Sequence, residues 1–238
     1  GITFLIKPKQ KLHFLWGTFC LTVMMWGLGV FNIATTSDQQ TALFWWKIAY
    51  SGVIFIPVMF THFVHIFLGT EKRNTFFLVS LYLLGLFYLA ANNLSTIFIR
   101  EVHWSFDQFF YLSPTPLYNS FVALFVILII YSHILLLKEY TRTYGPQKRQ
   151  IQYFFLGSFL GFFGGSFSFL PVYGIDIYPY LNNTVFLYPV IMGYAILKYN
   201  LMDIRIITAQ LFISLLWVFI LALALVEPFG IQEQIGDI

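Results

Sequence analysis

Charge is scarce in this chain: 10% of its 238 residues are Asp, Glu, Lys or Arg, against 59% hydrophobic and 21% aromatic. A soluble domain carries roughly a quarter charged residues, so an ordinary soluble fold is excluded. Cysteine is scarcer still: Cys20 stands alone inside an apolar stretch, and no disulfide can form within the chain. No carboxylate falls inside the long apolar runs. That removes the usual machinery of a proton- or sodium-coupled transporter and leaves no complete metal shell. Catalytic signatures are missing too, with no His-Glu-x-x-His, glycine-rich phosphate loop, serine nucleophile elbow or Cys-x-x-Cys.

What the chain has in abundance is apolar helix. A membrane-crossing helix needs about 20 mainly apolar residues, and seven stretches qualify: His13–Ala34, Thr41–Leu68, Phe76–Phe98, Asn119–Leu137, Tyr153–Leu170, Val185–Tyr199 and Ile207–Val226. Lipid offers no water to backbone amides. Runs such as Phe121–Leu137 are apolar on every face, unlike the alternating strands of a barrel. The expected fold is therefore all-α, a polytopic integral membrane bundle of seven transmembrane helices. It divides into a lead-in (1–12), a bundle of six helices (13–205), and an additional helix with a tail (206–238).

The cations orient it. Lys7, Lys9, Lys11, Lys72, Arg73, Lys138, Arg142, Lys148, Arg149, Lys198 and Arg205 all fall on one side if the chain threads alternately, leaving Lys47 and Arg100 on the other. The positive-inside rule puts Lys7–Lys11 in the cytoplasm and, by parity, Glu227–Ile238 outside. A formal net charge of +3 gives no case for nucleic acid, because the cations are the membrane-orienting set. The bilayer is the partner these residues imply. Trp45, Trp46, Trp104, Tyr173, Tyr178 and Tyr180 crowd the outer boundary, where amphipathic rings sit.

Polar groups in the spans are the candidates for a site. Asn92, Asn93, Ser95 and Thr96 lie in the outer half of the third span, with Tyr118, Asn119 and Ser120 at a similar height and Tyr188-Pro189 in the sixth. They are read first as bonding to one another between helices and second, with Trp46, as lining a pocket open to the outside. Lys47 would snorkel outward or hold an anionic ligand. Pro57 and Pro189 are each expected to kink a helix. Gly157, Gly161 and Gly165 recur every four residues, which makes a stripe for close helix packing. His62 and His65 share a face, and His133 lies at a depth matching His65. Hydrogen bonding or proton sensing is the first reading; a haem or metal between His65 and His133 is the weaker one. Asn93-Leu-Ser95 and Asn182-Asn-Thr184 fit the glycosylation pattern, which arises often by chance.

Three stretches carry a resemblance. Trp26-Gly-Leu-Gly29 closes the first span; Leu43-Phe-Trp-Trp-Lys-Ile-Ala-Tyr50 leads through Pro57 to Phe60-Thr-His-Phe63; and Tyr194-Ala-Ile-Leu-Lys-Tyr-Asn-Leu-Met-Asp-Ile204 ends the sixth. In this order and spacing, over about residues 10 to 205, the chain resembles the N-terminal seven-helix membrane region of bacterial sensor histidine kinases and related signalling proteins. The resemblance implies a sensor in the bacterial inner membrane, with an unknown small-molecule ligand, no cofactor and a homodimeric assembly. Lys198, Asp203 and Arg205 would then lie on the output path, while Trp46, Lys47, His62, Asn92, Asn93, Asn119 and Tyr188 would face the ligand. Spans one to six correspond to the family's helices two to seven, and the abrupt start at Gly1 reads as truncation, as does the tail left outside. This segment is then no enzyme itself. A transporter, a lipid-modifying membrane enzyme and a b-type haem protein stay open as alternatives.

Overall fold

The computed structural model describes residues 8–199. Six helical passes alternate in direction. They begin with α1 (Pro8–Thr35) and the pair α2 (Gln39–Val53) and α3 (Ile56–Phe67), and continue through α4 (Thr75–Leu94), α5 (Pro116–Arg142), α6 (Gly145–Ser166) and α7 (Leu187–Tyr199). Contacts between distant residues fix the ends. Lys11 Nζ lies 3.2 Å from Glu71 Oε1, joining the start of α1 to the α3–α4 turn. Gln150 Nε2 donates to the Tyr199 carbonyl at 2.8 Å, joining the start of α6 to the end of α7. These mark a basic end. At the opposite end, Gln39 Nε2 donates to the Val102 carbonyl at 2.7 Å, and the Tyr173 hydroxyl donates to Asn119 Oδ1 at 3.0 Å.

Five segments among the described residues are long and apolar enough to cross a membrane: Phe14–Thr35, Gln39–Phe67, Glu71–Leu94, Pro116–Arg142 and Gly145–Tyr173. α7 has 13 residues and falls outside that set. The expected seventh span, Ile207–Val226, lies outside the described residues, as do Asp203 and Arg205.

Two expectations need correction, the purely helical fold and the kink at Pro189. The fold is not purely helical. Within the stretch Ile99–Tyr118, β1 (Ile99–Ser105) and β2 (Phe109–Pro114) pair antiparallel, with Val102 opposite Leu112 and Trp104 opposite Phe110. The pair's aromatic and β-branched residues, among them Val102, Trp104, Phe109, Phe110 and Tyr111, suit a pleated, half-buried surface. The Ser113-Pro-Thr-Pro116 sequence serves the next helix: Thr115 caps α5 by accepting from the Tyr118 amide, and Pro116 fills the first turn, where no amide donor is needed.

The second pass is interrupted just ahead of Pro57, where a kink was expected, and divides into α2 and α3. Pro57 lacks the N–H that would reach the Val53 carbonyl, and the chain tightens through a Phe55 N–H to Gly52 carbonyl bond of 3.0 Å before α3 begins. Pro189 behaves otherwise. α7 starts only at Leu187, after a tight turn over Tyr180–Phe186, so Pro189 sits in the first turn and kinks nothing.

Packing explains the rest. Phe60, Phe63, Phe121 and Phe154 are fully enclosed, while Phe76, Leu83, Ile127 and Phe163 point outward, as lipid permits and water does not. Backbones come close where α1 meets α2: a Cβ on Gly29 would stand 2.5 Å from the Ala49 Cβ and 2.9 Å from the Trp45 carbonyl. At the α1–α2 turn, Asp38 caps α2, accepting from both the hydroxyl and the amide of Thr41 at 2.7 Å. These bonds, the hydroxyl's first, hold its carboxyl below the usual value of 3.8.

Candidate functional site

Between α1, α2, α6 and α7 lies a cavity of about 120 Å³. α1 contributes Phe19, Val23 and Trp26; α2 contributes Trp46, Tyr50 and Val53; α6 contributes Ser158, Gly161, Phe162, Gly165 and Ser166; and Val185 and Tyr188 close the side formed by α7 and its preceding turn. Trp46 and Val53 stand seven and fourteen residues past Gln39, about 10 and 21 Å from the hairpin end at 1.5 Å per residue. The cavity thus occupies the middle and hairpin-side half of the bundle.

Local sequence builds each wall. Trp46 is 5% exposed, and its Nε1 donates to the Phe110 carbonyl at 2.8 Å, so the hairpin is tied directly to the cavity wall. Tyr50 meets Tyr118 hydroxyl to hydroxyl, and the Ser158 hydroxyl donates to the Phe154 carbonyl at 2.7 Å. On the α6 side the wall exists because Gly161 and Gly165 lack side chains. A Cβ on Gly161 would approach the Tyr188 Cβ to 3.1 Å, and one on Gly165 would meet Val185 at 3.6 Å. Gly157, a helical turn away, faces Ile191 and Met192, so the whole stripe is turned toward α7 and the turn before it. The Tyr188 ring packs on Trp16 and Phe19 with centroids 5.7 and 6.3 Å away. Its hydroxyl is buried without a hydrogen-bond partner.

The other candidate residues are placed elsewhere. Asn92 is fully buried and donates to the Lys47 carbonyl at 2.8 Å, while Lys47 Nζ donates to the Ser95 carbonyl at 3.0 Å. Asn93 bonds Ser51 at 3.1 Å. These residues form a seam between α2 and α4. Asn119 pairs with Tyr173 on the far side of the hairpin end. His62 belongs to the basic end, its Nδ1 3.0 Å from the Tyr82 hydroxyl and its Nε2 3.7 Å from Glu71 Oε1. Lys198 lies over the rings of Tyr194 and Tyr199 at the end of α7.

The imidazoles weighed for a haem are both engaged within the protein. His65 contacts Thr70 Oγ1 through Nδ1 and the Tyr131 hydroxyl through Nε2, at 2.7 and 3.2 Å. His133 contacts the Ile129 carbonyl at 2.8 Å and Ser158 Oγ at 3.2 Å. No group of three or more His, Cys, Asp or Glu able to hold a metal occurs among the described residues.

Sequence reasoning reached Trp46, Tyr188, Gly161 and Gly165 but not Phe19, Val23, Trp26, Tyr50 or Phe162. In a chain with 29 phenylalanines and 15 tyrosines nothing marks those particular rings. The available signal was the glycine stripe, whose opposite face on α7 is part of the wall.

A multi-pass bundle of helices long and apolar enough to cross a bilayer, with an apolar cavity among them, is a membrane protein. Residues 2–205 match the family described as the N-terminal 7TM region of histidine kinase, and the chain belongs to that family. No curated protein and no solved structure matches it. The matched region is a sensing rather than a catalytic region of such proteins.

Proposed function

We propose that this chain is the membrane sensor of a bacterial signal-transduction protein, reading a small or amphiphilic ligand, or the state of the bilayer, and passing it to a cytoplasmic output domain. The observation that carries this reading is the shared wall. One cavity touches α1 and α2, which are locked by Gly29 and by the Trp46–Phe110 bond, and also touches α7, whose last turn holds Lys198. An occupant that widens or tightens the α6–α7 seam shifts α7 along or about its axis, toward Lys198, Asp203 and Arg205. It does so only by its differential affinity for the two arrangements. In this reading the basic end lies in the cytoplasm of a bacterial inner membrane, and two copies act as a homodimer. The Lys47–Asn92–Asn93 seam holds the fixed side of the cavity.

The test is phosphate transfer from ATP in the whole gene product, in membrane vesicles. Gly161→Ala presses on the Tyr188 Cβ by a few tenths of an ångström, and Gly161→Leu presses harder. Histidine-linked phosphate whose level changes several-fold in step with the two variants supports the proposal. Absence of such phosphate, or a level indifferent to both substitutions, overturns it.

A further inference from the structure

We infer that the cavity is a groove for one acyl chain of a phospholipid in the leaflet on the hairpin side. The inference rests on the cavity being the sensing site, and it names the ligand class as the bilayer's own hydrocarbon.

The groove exists because one helix is short. α7 has 13 residues, about 20 Å at 1.5 Å per residue, so it falls roughly 10 Å short of the ~30 Å hydrocarbon core. The missing length is on the hairpin side, where the tight turn over Tyr180–Phe186 takes its place. That turn is held on α6, its Thr184 hydroxyl 3.3 Å from the Leu160 carbonyl. Between α1 and α7 the ring of Tyr188 meets those of Trp16 and Phe19, with centroids 5.7 and 6.3 Å away, which closes the deep end. Toward the hairpin the walls part, and the cavity is half open. Beside the α1 wall Met24 and Gly27 are exposed, and a Cβ on Gly27 meets nothing within 4 Å. The mouth therefore lies among lipid-facing side chains at membrane depth, where the neighbours it admits are lipid chains.

Shape and chemistry both fit such a chain. The lining runs from Phe19 to Trp26 on α1, seven residues, and from Ser158 to Ser166 on α6, eight residues. At 1.5 Å per residue this is a trough of about 10–12 Å along the helix axes, close to the roughly 15 Å depth of one leaflet. Among the described residues no Asp, Glu, Lys, Arg or His lines it. Tyr50 is bonded to Tyr118, Ser158 to the Phe154 carbonyl, and Ser166 to the Phe162 carbonyl at 2.6 Å. With those hydroxyls satisfied by the protein, the walls select hydrocarbon, and a charged guest would lose its hydration with no counter-charge. Apolar space of this kind stays dry, so water is not the occupant. The head group stays at the bilayer surface, level with exposed Tyr173, Tyr178 and Tyr180, rings of the type that sits there.

The experiment uses the full gene product in nanodiscs of a phosphatidylcholine carrying a small diazirine on one acyl chain. One preparation has the diazirine halfway along the chain, and a second has it at the methyl end. Irradiation followed by peptide mass spectrometry maps the adducts. Outward-pointing Leu83 and Ile127 are labelled by any surrounding lipid, and enclosed Phe63 by none. Trp46 and Val53, 5% and 7% exposed, are reached only through the groove. The expected result is an adduct at Trp46 with the mid-chain probe, moving to Val53 with the methyl-end probe. Gly165→Leu, which fills the trough from α6, and Val23→Trp, which narrows it from α1, each remove these adducts and leave that at Ile127.

Labelling of Leu83 and Ile127 without Trp46 or Val53, as a second copy or another protein segment seated in the groove would give, overturns the proposal. So does a Trp46 adduct that survives both substitutions. Either failure leaves the phosphate-transfer test of the sensor role to be decided on its own readout, and a failed phosphate-transfer test leaves the adduct map unchanged.

Discussion

Two glycines a few residues apart on α1 make the sharpest test of the packing. Gly27 is exposed, and a Cβ there meets nothing within 4 Å. Gly29 is buried, and its Cβ would stand 2.5 Å from the Ala49 Cβ and 3.1 Å from the Ala49 Cα. Ordinary carbon contacts lie at 3.5–4.0 Å, so Gly29→Ala must push α1 away from α2 by about 1 Å against backbone that cannot rotate aside. Overpacking of this kind costs about 1–3 kcal/mol. Gly27→Ala carries no such penalty and gains up to about 1 kcal/mol of helix propensity. The propensity gain applies to both substitutions, so the two variants should differ by the overpacking alone, about 1–3 kcal/mol, with Gly29→Ala the less stable. Thermal unfolding in nanodiscs, followed by tryptophan fluorescence, reads the difference. Equal midpoints would refute the close α1–α2 approach, and with it the rigid wall behind Trp46.

Further outcomes follow from single residues. Asn92→Leu removes the buried bond between α4 and the Lys47 carbonyl, which keeps the Ser51 hydroxyl at 2.9 Å, and should destabilise by roughly 1 kcal/mol, whereas Asn93→Leu, at an exposed position, should change stability by less than about half that; both are read by the same unfolding assay. Asp107 sits at φ +53 beyond the end of β1, so Asp107→Gly should stabilise the hairpin by about 0.5–1 kcal/mol and Asp107→Val should loosen it by more, measured as hydrogen exchange of the β1–β2 amides. The cap at Asp38 has its carboxyl held below 3.8 in the folded protein. Its contribution is complete above that value and fades as pH falls through the lowered one. Asp38→Ala should therefore destabilise at neutral pH and make no difference in strong acid.

The passes of the bundle were legible because lipid demands length and apolarity, and both are local properties of a stretch such as Phe121–Leu137. The break at Pro57 was legible for the same reason, since a missing amide needs no partner to be noticed. Pro189 was misread because its effect depends on where its helix begins, and that is set by the tight turn over Tyr180–Phe186. The hairpin escaped because Ser113-Pro-Thr-Pro116 looks like a turn until Thr115 is seen capping α5.

For the site, the Asn92–Asn93 cluster stood out as polar, but its partners, the Lys47 carbonyl and Ser51, sit on another helix. A cavity is harder still. It is defined by what faces an absent side chain, and only the fold brings Gly161 opposite Tyr188.

The most direct test of the account is an experimental structure of the full gene product in a lipid nanodisc. It should show the space between Trp46 and Tyr188 open, or filled by non-protein density. A bundle in which α6 and α7 close that space would contradict it.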